Sequence, residues 1–232
     1  LDLIDTAVKP FDGADLEAFG ADHLGESLVA TPNSHDSVVS TNGIELTSLS
    51  TAQLVAQSED ISWHIEDILP TKSAMVLVAR EGVAKTWMVL DLAIAISQGS
   101  TWLNHFPANR GRVLIIDEEN SKNLLTSRVQ KLLTARGELE ALHSLNIDWL
   151  LGQGVNLSDN RFTSALEECL AQIKPDVVVM DSLVRIHRGD ENDARAMAEL
   201  FAIIKQYMGI YECTFVFCHH QGKSGIDTNQ SL

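Results

Sequence analysis

The sequence predicts an α/β fold built on a mostly parallel sheet with helices on both faces. Three observations predict it. From about residue 58 onward, short apolar runs alternate with segments of helical periodicity. The runs are continuously apolar rather than alternating, the pattern of parallel strands covered on both faces. Four of them lead into polar or charged segments, Arg80–Thr86, Asp117–Asn120, Asp181–Arg185 and His219–Lys223. In open α/β sheets ligands bind beyond the carboxyl ends of the strands, so these four segments are where chemistry is expected.

Each element follows from its pattern. Ala74–Ala79 is a short, wholly apolar strand, and residues 85–98 read as a helix. Arg112–Asp117 is a second strand. Residues 121–136 carry Leu125, Val129 and Leu132 at helical spacing, with Asn120 or Ser121 as N-cap. Ile147–Leu151 is a third strand. Phe162, Leu166, Cys169 and Ile173 step by 4, 3, 4 along one helix face, which Pro175 stops. Val177–Asp181 is a fourth strand. Ala194, Met197, Phe201, Ile204 and Met208 mark another helix, capped by Asn192 or Asp193, and Thr214–Cys218 is a fifth strand.

Composition bounds the function classes. The 232 residues include 17 Lys+Arg against 32 Asp+Glu, a net charge of −15, with 45% hydrophobic and 21% charged residues. This is globular composition and excludes a wholly disordered chain. No apolar run approaches the ~18–20 residues of a membrane helix; the longest, Trp87–Ile96, is interrupted by Asp91. The acidic start lacks the basic region of a signal peptide, and the missing initiator Met suggests a fragment or a processed chain. Cys169, Cys213 and Cys218 have no CxxC spacing and fit reduced thiols in a cytoplasmic protein. The acidic balance argues against a broad basic nucleic-acid surface. Residues 1–50 hold nine acidic residues and one basic one, Lys9. Residues 1–45 therefore read as an acidic flexible tail or linker, the other reading being an ordered cap, and 46–232 as the main domain.

At the first strand end stands Ala79-Arg80-Glu81-Gly82-Val83-Ala84-Lys85-Thr86, followed by Trp87 and a helix. The pattern G-x-x-x-x-G-K-[ST] between strand and helix is a phosphate loop, whose backbone N–H groups hold anionic phosphates. Residues Arg80 to Trp87 are thus the nucleotide-binding candidates, with Lys85 reaching the phosphates and Thr86 ligating Mg²⁺. Ala79 and Ala84 replace the two flanking glycines, at a cost of about 1–2 kcal/mol wherever φ must be positive. At the second strand end, Asp117, Glu118 and Glu119 supply a carboxylate that can orient a water beside a phosphoanhydride. Glu118, and with it Asp117, is expected to be merely solvated or to cap the next helix.

Val177–Asp181 has the Walker B form, an apolar strand that delivers one carboxylate to a Mg²⁺ shell. A polar side chain in Cys218-His219-His220-Gln221-Gly222-Lys223 fits contact with a γ-phosphate. Two other readings compete: a transition-metal site of Cys218, His219, His220 and Asp181, and a Ser182–His220–Asp181 hydrolase that lacks the G-x-S-x-G elbow. Arg185, His187 and Arg188 form a short basic patch beside Asp190 and Glu191.

Together these segments resemble the RecA-like P-loop ATPase core, in the branch with RepA-type hexameric plasmid helicases and AAA_25-type ATPases. The resemblance spans about residues 46–225, from Leu49–Leu54 and Trp63–Pro70 through Val113–Ser121, Asp181–His187 and Asp190–Asp193 to His219–Lys223. It implies Lys85 and Thr86 as the Walker A pair, Glu119 as catalytic glutamate, Asp181 as Walker B aspartate and His220 as sensor beside His219. It further implies ATP with Mg²⁺, hydrolysis at subunit interfaces of a homo-oligomer, a hexamer in this branch, and single-stranded DNA as partner in replication or repair. The chain stops 12 residues after His220, where the family would continue with a DNA-facing loop and further strands. The other reading is a non-catalytic nucleotide-binding module with a degenerate loop.

Overall fold

The computed structural model describes residues 38–41, 44–80, 82, 84–186 and 194–220. The chain divides into two units, Leu1–Glu59 and Asp60–Leu232. In the first, strands β1 (Val38–Thr41) and β2 (Ile44–Thr47) form an antiparallel pair. Helix α1 (Thr51–Ala56) follows, started by a capping box between Ser50 and Gln53.

The second unit carries the sheet. Two small hairpins, β3 (Trp63–Ile65) with β4 (Leu69–Pro70) and β6 (Thr101–Trp102) with β7 (Phe106–Pro107), flank strand β5 (Ala74–Ala79) and helix α2 (Lys85–Gln98). There follow β8 (Val113–Asp117), α3 (Lys122–Arg136), a 3₁₀ turn (Leu139–His143) and β9 (Ile147–Leu151). The unit continues with α4 (Asn160–Ile173), β10 (Val177–Asp181), the short α5 (Leu183–Ile186), α6 (Ala194–Tyr211) and β11 (Thr214–His220). The five long strands make one parallel sheet in the order β5-β11-β10-β8-β9. This is the α/β class that strand–helix alternation predicts.

Successive strand residues point to opposite faces, which is why the central strands are apolar between their ends. Val113, Ile115, Val177, Val179 and Val216 join one core with Leu92 and Ile96 of α2 and Leu125, Val129 and Leu133 of α3. Leu114, Ile116, Val178, Met180, Phe215 and Phe217 join the other with Leu166 and Leu170 of α4 and Leu200, Ile204 and Tyr207 of α6. The expected burial on both faces holds for β8, β10 and β11 but not for β5. That strand is a sheet edge, and its Val76 and Val78 are exposed.

Boundaries follow local chemistry. Ser121, not Asn120, caps α3 with its hydroxyl accepting from the Leu124 N–H; Gly99 and Gly137 end α2 and α3 in the left-handed conformation. Lys174 does the same for α4 just before Pro175. The inward stripe of α3 is Leu125-Val129-Leu133, because at an i, i+4, i+8 step Leu133 faces the core and Leu132 its margin. In α6 the buried stripe is Leu200-Ile204-Tyr207, and Ala194 is exposed. The caps Asn192 and Asp193 lie outside the described residues, as do His187, Arg188, Asp190 and Glu191.

Asp91, which interrupts the most apolar helix, is tied to α3. Arg136 donates to Asp91 Oδ1 from Nη2 at 2.6 Å and from Nε at 3.0 Å, and Asp91 Oδ2 accepts from the Leu103 N–H at 2.8 Å. The charge is therefore paired and hydrogen-bonded where it is buried. Among the described residues no helix is long and apolar enough to cross a membrane.

Candidate nucleotide site

Parallel register brings the predicted segments to one rim. Asp181 pairs with Asp117 on one side and Cys218 on the other, Cys218 pairs with Leu77, and the His220 backbone pairs with Ala79. The carboxyl ends of β5, β11, β10 and β8 thus stand side by side, and the Arg80–Thr86 segment leaves β5 at that edge.

The segment turns through two left-handed residues, Gly82 (φ 81°) and Ala84 (φ 62°), before α2 begins at Lys85. Of the two alanines in glycine positions only Ala84 bears the predicted strain. Ala79 lies in extended strand, where alanine is unstrained, so the penalty expected there is absent. Lys85 is buried, and its Nζ donates to the carbonyls of Ala79 at 2.8 Å and Arg80 at 3.1 Å. The ammonium is folded over the base of its own loop. Beside it the Thr86 hydroxyl donates to Asp181 Oδ2 at 2.9 Å, joining the first turn of α2 to the end of β10 across 95 residues of sequence. Asp181 is 2% exposed. Arg80 is exposed, Trp87 half-buried, and Glu81 and Val83 lie outside the described residues.

The three carboxylates after β8 have separate environments. Asp117 is buried and makes an Asx turn: Oδ1 accepts from the N–H groups of Glu119 (2.9 Å) and Asn120 (2.7 Å), and Oδ2 from Asn120 Nδ2 (2.9 Å). Glu118 is not merely solvated, contrary to expectation. It accepts three backbone N–H groups from the turn after β9, those of Gln153 and Val155 on Oε1 and of Gly154 on Oε2. A carboxylate with a concave run of amides within reach gains more there than in water, which is the reason for the departure. Glu119 is the exposed member. Its turn is held further by Arg128, which donates to Asn120 Oδ1 at 3.1 Å and lies 5.6 Å from the Trp87 ring centroid.

Strand β11 runs two residues past its expected end, so His219 and His220 belong to the strand rather than to the loop after it. The His220 side chain lies outside the described residues. Burial, with Asp181 and Asp117 nearby and despite Lys85, pushes the Cys218 thiol up from its usual range. Among the described residues no group of three or more His, Cys, Asp or Glu side chains is placed to hold a metal ion. A hydroxyl and a buried carboxylate 2.9 Å apart, with an ammonium on the adjacent turn, are the hard-oxygen and cationic groups that Mg²⁺ and a polyphosphate require, so the residues fit both.

Comparison with known families agrees. The AAA_25 family model, an AAA domain, matches residues 41–225. The chain belongs to this AAA domain family. It is an AAA-type, P-loop ATPase-like domain on a RecA-like α/β core. Two contacts beside the candidate site were not read from the sequence, that of Arg128 with Asn120 and that of Glu118 with amides 153–155. Arg128 lies three residues from Leu125 and four from Leu132, a cation on the inward arc of a helix, which is a readable signal. The Glu118 contact had only Gly152-Gln153-Gly154 to announce it.

Proposed function

We propose that this chain binds ATP with Mg²⁺ and hydrolyses it, as a RecA-like motor of the RepA-type helicase branch serving DNA replication or repair. The Thr86–Asp181 hydrogen bond carries the reading, because it joins the Walker A hydroxyl to the Walker B carboxylate. In this reading residues 46–232 are the ATPase domain and 1–45 an acidic tail or linker, and the protein acts in the cytoplasm. The N–H groups of the Arg80–Trp87 segment cradle the phosphates, Lys85 leaves the Ala79 and Arg80 carbonyls for them, and Thr86 and Asp181 hold the cation. Mg²⁺ held there would supply positive charge to the bound polyphosphate. Glu119 orients a water for in-line attack, and His220, beside His219, contacts the γ-phosphate. A homo-hexamer acting on single-stranded DNA is the assembly the branch implies.

A second reading has one observation behind it. Ala84 occupies a left-handed conformation that glycine adopts without strain, which suits a nucleotide-binding module without turnover. Glu119→Gln separates the two. The motor reading expects turnover to fall by at least about two orders of magnitude with nucleotide affinity retained. Unchanged hydrolysis in that variant removes Glu119 from the reaction, and absence of turnover by the unmodified protein favours the module.

A further inference from the structure

Glu119 stands between two residues whose side chains are both fully engaged, and the engagement of Glu118 reaches into another part of the fold. Its carboxylate gathers the consecutive N–H groups of Gln153 (3.1 Å), Gly154 (2.9 Å) and Val155 (3.1 Å). The turn that offers them carries left-handed glycines at 152 (φ 57°) and 154 (φ 68°). A Cβ at either position would meet nothing within 4 Å, so backbone conformation and not space calls for glycine there. Turns of this kind present successive amides to one anion, and here the anion is internal. The Asp117–Glu118 peptide is pinned on the sheet side: the Glu118 N–H donates to the Asp181 carbonyl and the Asp117 carbonyl accepts from the Gly152 N–H, each at 2.9 Å. Beyond Val155 the loop is tied to α5 by the Leu157 N–H on the Ile186 carbonyl at 2.8 Å.

We propose that Glu118 is a positioning residue for hydrolysis: its three amide contacts with Gln153–Val155 fix the peptide that aims Glu119. The role rests on the reading of Glu119 as the water-orienting group. Glu118 touches no reacting atom in this account. It sets the orientation of the next residue, whose carboxylate must meet a water at hydrogen-bond distance, and a displacement of about 1 Å in such a group costs on the order of 100-fold in rate.

The test compares wild type, Glu118→Ala, Glu118→Gln, Glu119→Gln and the Glu118→Ala/Glu119→Gln double variant. Three quantities are read: steady-state phosphate release from MgATP, binding of the β,γ-imido analogue of ATP, and hydrogen exchange of amides 153–155. Glu118→Ala is expected to lower kcat by about 10- to 100-fold, with analogue affinity within about threefold of wild type and protection lost at the three amides. Glu118→Gln retains the oxygen that accepts two of the three bonds and should fall between. In the Glu119→Gln background the alanine change should add almost nothing. A full rate in Glu118→Ala with amide protection lost, or equal losses with and without Glu119, overturns this role while leaving the Glu119 reading intact. No effect of Glu119→Gln, or no turnover by the unmodified protein, removes that reading and this role with it.

Discussion

The two alanines of the phosphate loop make opposite predictions, although the motif treats them alike. Ala84 sits at φ 62°, ψ 21°, where an L-residue with a Cβ is destabilised by about 1–2 kcal/mol relative to glycine. Glycine in turn loses about 0.4–1 kcal/mol through the greater freedom of the unfolded chain. Ala84→Gly should therefore stabilise the fold by about 0.5–1 kcal/mol, which for a unit of this size raises Tm by about 1–4 °C. Ala79 is extended and paired with His220 in β5, where glycine only weakens a strand. Ala79→Gly should destabilise by about 0.5–1 kcal/mol, and the double variant should come out near wild type. Urea unfolding followed by circular dichroism reads all three. A loss of stability in Ala84→Gly, or a gain in Ala79→Gly, would refute the assignment of strain to the second position alone.

Two further outcomes concern the frame around the site. Arg136→Ala leaves Asp91 buried without its partner and should lower unfolding free energy by about 3–5 kcal/mol in the same assay; a loss under about 1 kcal/mol would show the pair to be dispensable. Burial pushes the His64 imidazole below its usual 6.5, with Asp176 partly opposing, and its Nε2 lies 3.1 Å from the Thr214 hydroxyl oxygen. As pH falls through 6.5 the unfolded chain takes up this proton first, so the stability due to neutral His64 is complete above that value and lost below it. Thermal unfolding between pH 8 and 5 should show a decline that is shallower in His64→Gln, and identical slopes would contradict the assignment.

The central sheet was legible because burial on two faces leaves the middles of β8, β10 and β11 apolar, with polar residues only at the strand ends, and an uninterrupted apolar run is a one-dimensional signal. The edge position of β5 was not, since Val76 and Val78 read the same in a run of letters whether covered or exposed. Lys85, Thr86 and Asp181 were legible as a motif because each needs a fixed place relative to its own strand end. Glu118 was not: its partners are backbone amides 35 to 37 residues away, and no side-chain type marks an N–H group. Leu132 and Leu133 are adjacent and both apolar, and only packing puts Leu133 in the core and Leu132 at its margin.

Whether Lys85, Thr86 and Asp181 serve one polyphosphate is tested most directly by equilibrium binding of ATP with and without Mg²⁺, by this chain and by Lys85→Ala. Binding strengthened by Mg²⁺ in the wild type and weakened by at least about tenfold in Lys85→Ala is the predicted result. Equal affinity in the two proteins, or no dependence on Mg²⁺, would contradict it.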